Sequence, residues 1–150
     1  MTTEPVREKK LRIRPMEHED IEAVLAIDRR ITGVRRAITY TDLITGDLGG
    51  LLDLSFVAEI SGQVTGFIVA RHSYVGAIGE AGMIHILGVD PDHWRQGIAN
   101  KLINALVERC RSKKLKTVRT LVNERDTQLQ DFFQHVGFRR GQLTDYTRSL

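Results

Sequence analysis

Apolar residues recur along the chain in two rhythms, alternating in short runs and falling every third or fourth residue in longer ones. The first rhythm marks strands and the second marks helices. Leu11-Arg12-Ile13-Arg14 alternates, which predicts a half-buried strand that Pro15 ends. Glu19 and Asp20 then open a helical pattern through Ile21, Val24, Leu25 and Ile27, and Gly33 breaks it. A second, shorter helix is expected over about residues 39–45, with Gly46, Gly49 and Gly50 as loop. Residues 55–60 and 64–71 are β-rich, and Ser61-Gly62-Gln63 joins them as an antiparallel hairpin. Residues 83–89 form a third β run, apolar on both faces except at His85, as befits the middle of a sheet.

Past Asp90-Pro91-Asp92 the helical rhythm returns. Ile98, Leu102, Leu106 and Cys110 share one face, with Ala99, Ile103 and Val107 beside them. Arg109, Arg111, Lys113 and Lys114 crowd the end of this helix, where cations meet the negative end of its dipole. Residues 116–122 read as a strand, and a last helix runs through Leu129, Phe132, Phe133 and Val136 to Gly137. Residues 138–140 and 143–150 predict a final hairpin about Gly141 and Gln142. The expected order is β α α β β β α β α β β. Residues 83–122 then make one parallel β-α-β crossover in a mixed, mostly antiparallel sheet of an α/β (α+β) fold. With no repeat or linker in view, residues 11–150 are expected to be one domain, preceded by a flexible polar arm over residues 1–10.

Composition narrows the function classes. A chain of 150 residues with 41% hydrophobic and 27% charged residues is long enough to bury a core without a disulfide or metal staple. The single cysteine, Cys110, has no internal partner, which suits a reducing compartment. No apolar run approaches a membrane span and the N-terminus lacks a signal-peptide pattern, so a cytoplasmic location without membrane attachment is expected. The net charge of +3 is spread along the chain, and aromatic residues make up only 6%. That combination suits an anionic cofactor better than a nucleic-acid partner. His72, His85, His93 and His135 lack the spacing of zinc ligands, and no metal is expected.

The richest chemistry lies at the strand-to-helix turn between Val89 and Asn100. The first N–H groups of a helix have no internal partners and carry partial positive charge, so an anion placed there satisfies both. Trp94-Arg95-Gln96-Gly97-Ile98-Ala99 stands at this point, and Gly97 and Ala99 supply the low bulk that close approach of a pyrophosphate requires. Taken alone, Gly97 reads equally well as an ordinary turn glycine. Neither a dinucleotide fingerprint nor a Walker loop occurs at such a turn.

The longer stretch, Ile86-Leu87-Gly88-Val89-Asp90-Pro91-Asp92-His93-Trp94-Arg95-Gln96-Gly97-Ile98-Ala99-Asn100, resembles the acetyl-CoA signature of the GNAT superfamily of N-acetyltransferases. Asp131-Phe132-Phe133-Gln134-His135-Val136-Gly137-Phe138 resembles the later motif of that family, in which a Tyr lies five residues before the Phe of a Gly-Phe pair. The resemblance covers residues 11–150 and implies the family's sheet with helices on both faces. It also implies acetyl-CoA as co-substrate, held by Leu87, Gly88, Val89, Trp94, Arg95, Gln96, Gly97, Ile98, Ala99, Asn100, Asp126 and Phe133. Three positions depart from the pattern. Trp94 replaces the usual Arg or Gln, Asp126 replaces an Asn, and Phe133 replaces the Tyr that often protonates the departing thiolate.

The implied reaction is direct attack of a primary amine on the thioester in a ternary complex, with the Leu87 or Val89 N–H as oxyanion donor. His85 falls on the strand where many relatives carry a Glu, and it reads either as the base or as a satisfied core histidine. Glu80 is the alternative base, or else a solvated carboxylate. Tyr146 is the candidate replacement acid. The family's acceptor wall corresponds to about residues 28–54 and 141–150. Asp28, Asp42 and Asp47 there suit a cationic acceptor, such as a lysine or a peptide N-terminus, while Arg29, Arg30, Arg35 and Arg36 suit an anionic one. A homodimer is compatible with the pattern. The competing expectation is a catalytically silent acyl-CoA-binding regulatory module, which the missing Tyr keeps open.

Overall fold

The computed structural model describes residues 10–33 and 52–150. The helix expected over 39–45 lies outside them. Five strands are formed: β1 (Leu11–Pro15), β2 (Phe56–Ile60), β3 (Gln63–Val75), β4 (Gly79–Val89) and β5 (Thr117–Thr120). They line up in the order β1-β2-β3-β4-β5, antiparallel throughout except for the parallel β4–β5 pair. The helices are α1 (Ile21–Thr32), α2 (Ile98–Ser112) and α3 (Thr127–His135). Gly33 stops α1 as expected, with a left-handed φ of 73° and an N–H that donates to Arg29 O.

The alternation of strand side chains divides the core in two. Ala58, Ile68, Ala70 and Ile84 meet Ile98, Leu102, Ile103, Leu106 and Cys110 of α2 and Phe133 of α3 on one face. Val57, Phe67 and Val69 meet Met16 and Val24 and Ile27 of α1 on the other. Helices therefore cover both faces of a mixed sheet, as the resemblance implied. On the α2 face the fit is close: a Cβ added at Gly82 would lie 2.5 Å from Cys110 Sγ.

Two expectations need correction. The strands β3 and β4 run on past the residues that marked them and form a second hairpin about a one-turn 3-10 segment, Gly76–Ile78. The pairs His72↔Gly82 and Tyr74↔Glu80 carry this extension, in a stretch where Gly76, Gly79 and Gly82 interrupt any strand pattern. The final hairpin is the second correction. Past His135 the described residues form no strand; Phe138 packs on the core, and residues 139–150 are exposed. Leu143, Tyr146 and Leu150 are too few apolar residues to hold a lone two-stranded ribbon together.

Candidate functional site

At Val89 the central strand gives way to a turn fixed by its own side chains. The Asp90 N–H donates to Thr65 O at 2.8 Å, and the Asp90 carboxylate accepts from the Asp92 N–H at 3.0 Å. Arg30 at the end of α1 reaches across to both acids, 2.6 Å from Asp90 Oδ1 and 3.2 Å from Asp92 Oδ2. The Trp94 indole folds back so that Nε1 donates to Val89 O at 2.7 Å. Arg95 and Gly97 then take left-handed φ values of 65° and 76°, and α2 begins at Ile98 with no side-chain cap.

This turn has the backbone form of an anion-binding nest. Left-handed residues alternating with ordinary ones gather successive N–H groups into a concave array. Behind it the Ile98, Ala99 and Asn100 N–H groups have no carbonyl one turn back; the first bond of α2 is Lys101 N to Gly97 O, 3.1 Å. A Cβ at Gly97 would meet nothing within 4 Å, so the space beside Gly97 itself is open.

The turn faces a cleft of about 580 Å³. Leu87, Gly88 and Val89 form its strand wall; His93, Trp94, Arg95 and Gly97 form its turn wall, with Ile98, Ala99 and Asn100 from α2. Leu129, Phe132, His135 and Val136 close it from the α3 side, and Ile31 of α1 completes it. Strand splay explains the opening. The β4–β5 register ends at Ile84↔Thr120, which leaves residues 85–89 of β4 without a partner on that side. Asp90 points its N–H to β3 and Val89 points its carbonyl to Trp94, so by strand alternation Leu87 and Val89 direct their polar groups into the cleft.

His85 sits at a β-bulge, since Val69 pairs with Ile86 and Ala70 with Ile84. A bulge re-aims the extra side chain, and here the imidazole is exposed. Partial desolvation by its surroundings, followed by the positive charge of Arg71, holds its pKa below the ordinary histidine value. It is therefore neutral at neutral pH, the form that accepts a proton.

The other expected site residues are distributed unevenly. Glu80 lies on β4 seven positions before Leu87, roughly 23 Å along the strand, and faces His72 Nε2 at 3.5 Å. The strand does not bring it to the turn. Gln96 is exposed on the turn outside the cleft wall. Asp126 caps α3, its carboxylate accepting from the Leu129 N–H at 3.0 Å. Phe133 points into the core, edge-on to Phe132 and Phe138 with ring centroids 5.2 Å apart in each pair, while its neighbour Phe132 faces the cleft. Tyr146 is 92% exposed on the C-terminal segment. Cys110 is buried, and burial raises its thiol pKa against the opposing pull of Lys113, which leaves it inert. Asp42, Asp47, Arg35 and Arg36 lie outside the described residues. Among the described residues no group of His, Cys, Asp and Glu is clustered to hold a metal ion, and no helix is long and apolar enough to cross a membrane.

Several wall residues carried no signal in the sequence reading. Ile31 reaches the cleft because α1 runs a full turn past Asp28, and Leu129, His135 and Val136 because α3 turns that side outward. His93 lay inside the motif and was available to find. Its ring lines the cleft with a buried Nδ1 that has no hydrogen-bond partner.

The profile of the Acetyltransferase (GNAT) family matches residues 21–138. The chain belongs to that family. A curated relative, Acetyltransferase SG1711 of Sodalis glossinidius (strain morsitans), is 34% identical over 96 residues, which span 64% of each chain. Among solved structures, the aminoglycoside N-acetyltransferase AAC(6')-Iy in complex with CoA superposes with a TM-score of 0.78 at 20% identity, covering 97% of this chain and 98% of that one. The ribosomal-protein-alanine N-acetyltransferase of Brucella melitensis biovar Abortus 2308 gives 0.75 at 14% identity, covering 93% and 99%. At these identities the two structures establish a shared GNAT fold.

Proposed function

We propose that this GNAT chain is an N-acetyltransferase that moves the acetyl group of acetyl-CoA to a primary amine, with both substrates bound together. The observation that carries the reading is the uncapped N-terminus of α2, fronted by Arg95 and Gly97, opening into the cleft where β4 parts from β5. The N–H groups of residues 95–100 hold the phosphates, and the apolar walls from Val89, Ile98, Leu129 and Phe132 take the thin arm of the cofactor.

Acetyl-CoA supplies a thioester whose carbonyl is open to attack. The Leu87 and Val89 N–H groups meet the negative charge that grows on the carbonyl oxygen. His85, two residues before Leu87 and neutral, takes the proton of the amine directly or through water. The amine nitrogen bonds to the carbonyl carbon as the C–S bond breaks, and the thiolate leaves and is protonated by water. No side-chain acid is required, because a thiolate is a tolerable leaving group, with a thiol pKa of about 8–9.

A panel of amines assayed for thiol release tests this reading. The wild-type rate is expected to rise with pH along a limb set by the lowered pKa of His85. In His85→Ala the limb disappears and kcat falls about a hundredfold, while Glu80→Ala stays near wild type. Full activity of His85→Ala at every pH would remove His85 from the mechanism. One observation favours the alternative, a silent acyl-CoA-binding regulatory module: Phe133 is core and Tyr146 is exposed, so neither offers an acid to the cleft. Saturable acetyl-CoA binding with no thiol release on any amine would select that alternative.

The acceptor is sought among small aminated molecules, lysines and peptide N-termini. The two solved neighbours are named for aminoglycoside and ribosomal-protein-alanine acetylation, which makes both acceptor types the first members of the panel.

A further inference from the structure

Two arginines stand near His85 on the face of the sheet turned away from α2. On β3, Ala70 packs toward α2 and Val69 toward α1, so by alternation Arg71 shares the face of Val69. On β5, Val118 lies on the α2 side, 3.9 Å from where a Cβ at Gly82 would stand, and Arg119 therefore points the other way. The register joins the two: Arg71 is opposite Met83, and Met83 is opposite Arg119. The three make a row across the sheet, with the two arginine Cα atoms about 10 Å apart. α1 packs on Phe67, Val69 and Ile86, and this row is the next one along. Met83 comes two residues before His85, roughly 7 Å along the strand.

Both arginines are half-buried, and among the described residues neither has a carboxylate partner. Arg119 Nε donates to the Thr117 hydroxyl at 3.0 Å, a neutral group. Glu80 shares the opposite face with Gly82 and is held by His72. The contrast with Arg14, Arg30 and Arg109 is plain, since each of those meets an acid. After desolvation, the charge of Arg71 is what holds the His85 pKa down, which puts its guanidinium within electrostatic reach of that ring. The C-terminal segment also comes to this row: a Cβ at Gly141 would lie 3.2 Å from Arg119 Nη1. Two half-buried cations without a counterion repel each other, and an anion between them relieves that repulsion. The planar fork of a guanidinium matches a carboxylate or a phosphate in particular.

We infer that the acceptor is a small primary amine carrying a carboxylate or phosphate group, which Arg71 and Arg119 hold while the amine lies at His85. This acceptor class presupposes the transferase reading above. It takes the anionic side of the choice that the acids and arginines of residues 28–54 leave open in the sequence, and it does so on residues from a different part of the chain. The row stands four residues before Leu87, roughly 13 Å along β4, a span that the long arginine side chains and a small amine fill together. With its anion on the arginines, the acceptor has one orientation in which its nitrogen faces the thioester, so the pair would position the amine as well as select it.

Matched amines assayed for thiol release test this: β-alanine against its amide, phosphoethanolamine against ethanolamine, and kanamycin as a polycation. Each anionic member is expected to exceed its neutral counterpart at least about tenfold in kcat/KM, and the two pairs separate carboxylate from phosphate. In the double variant Arg71→Gln/Arg119→Gln the ratio within each pair is expected to fall toward one, chiefly through a higher KM for the anionic member. Neutral amines or kanamycin turned over as well as the anionic ones would overturn the acceptor class and leave the transferase reading standing. A second readout needs no turnover. Inorganic phosphate seated between the arginines offsets their charge, so the His85 pKa, followed by the proton resonances of its ring, is expected to rise on adding phosphate at constant ionic strength. The double variant should show no such rise. An unmoved His85 pKa in the wild type would overturn the anion site whatever the turnover. A rise with no thiol release on any amine would instead overturn the transferase reading, and the acceptor with it, and leave the two arginines as an anion site alone.

Discussion

Gly97 holds φ at 76° before open space, so a substitution there separates two roles that the sequence alone leaves merged. A side chain at this φ costs about 1–2 kcal/mol of backbone strain, and no neighbour adds a clash. If Gly97 were only a turn residue, Gly97→Val would lower stability by that amount and do no more. Because Gly97 lines the cleft beside Ile98, Ala99 and Asn100, acetyl-CoA binding is expected to weaken at least about tenfold beyond it, a further ~1.4 kcal/mol. Calorimetric titration with acetyl-CoA, set against thermal unfolding of the same variant, reads both numbers. Equal affinity in the variant would reduce Gly97 to a turn residue. Trp94 supports the same local geometry from the other side, since its indole holds the Val89 carbonyl at the mouth of the cleft. The side chain that departs from the family pattern thus bonds the turn itself.

Between elements, the tightest constraint is the approach of α2 to β4 at Gly82. The 2.5 Å separation between a notional Cβ and Cys110 Sγ cannot be met without moving the helix or turning the thiol into its neighbours. Gly82→Ala is expected to destabilise the fold by about 1–3 kcal/mol. Cys110→Ala in the same background should recover part of that loss, a coupling that urea midpoints of the two single variants and the double variant measure. Strict additivity would mean that the strand, and not the thiol, bears the strain. At this scale it is also clear what the sequence could and could not disclose. The strand with His85, the face of α2, the stop at Gly33 and the turn at Gly97 all rest on local rhythm or on one residue's backbone freedom, and were legible. Phe132 and Phe133 are neighbours about 100° apart on a helix, and only packing decides which faces the cleft. The added length of β3 and β4 came from pairing with the glycine-rich Gly79–Gly82 stretch, and the absent hairpin turns on a partner strand that no local pattern records.

For the whole molecule, the first helix is tied to the sheet through one arginine. Arg14 on β1 donates to Glu59 on β2 at 2.9 Å and grips both carboxylate oxygens of Asp20 at 2.8 Å, while the Glu17 N–H donates to Asp20 at 2.8 Å. Burial pushes the Asp20 pKa up, but the Arg14 hydrogen bonds and the Glu17 N–H outweigh it, and the net shift is downward. A carboxylate whose folded pKa lies below its unfolded value adds stability that is complete above the unfolded value of about 4 and fades as pH falls through the folded one. Asp20→Asn removes the charge and leaves Arg14 half-paired, at an expected cost of about 3 kcal/mol near neutral pH. The gap between variant and wild type should therefore close as pH drops below about 4, which urea unfolding over a pH series would measure. A gap that stays constant into acid would show that the ion pair contributes nothing through its charge. The consequence reaches the cleft as well. The helix that Asp20 starts ends with Arg30 on Asp90 and Asp92 and with Ile31 in the cleft wall, so loosening its first turn should weaken acetyl-CoA binding from a distance, and by less than Gly97→Val does.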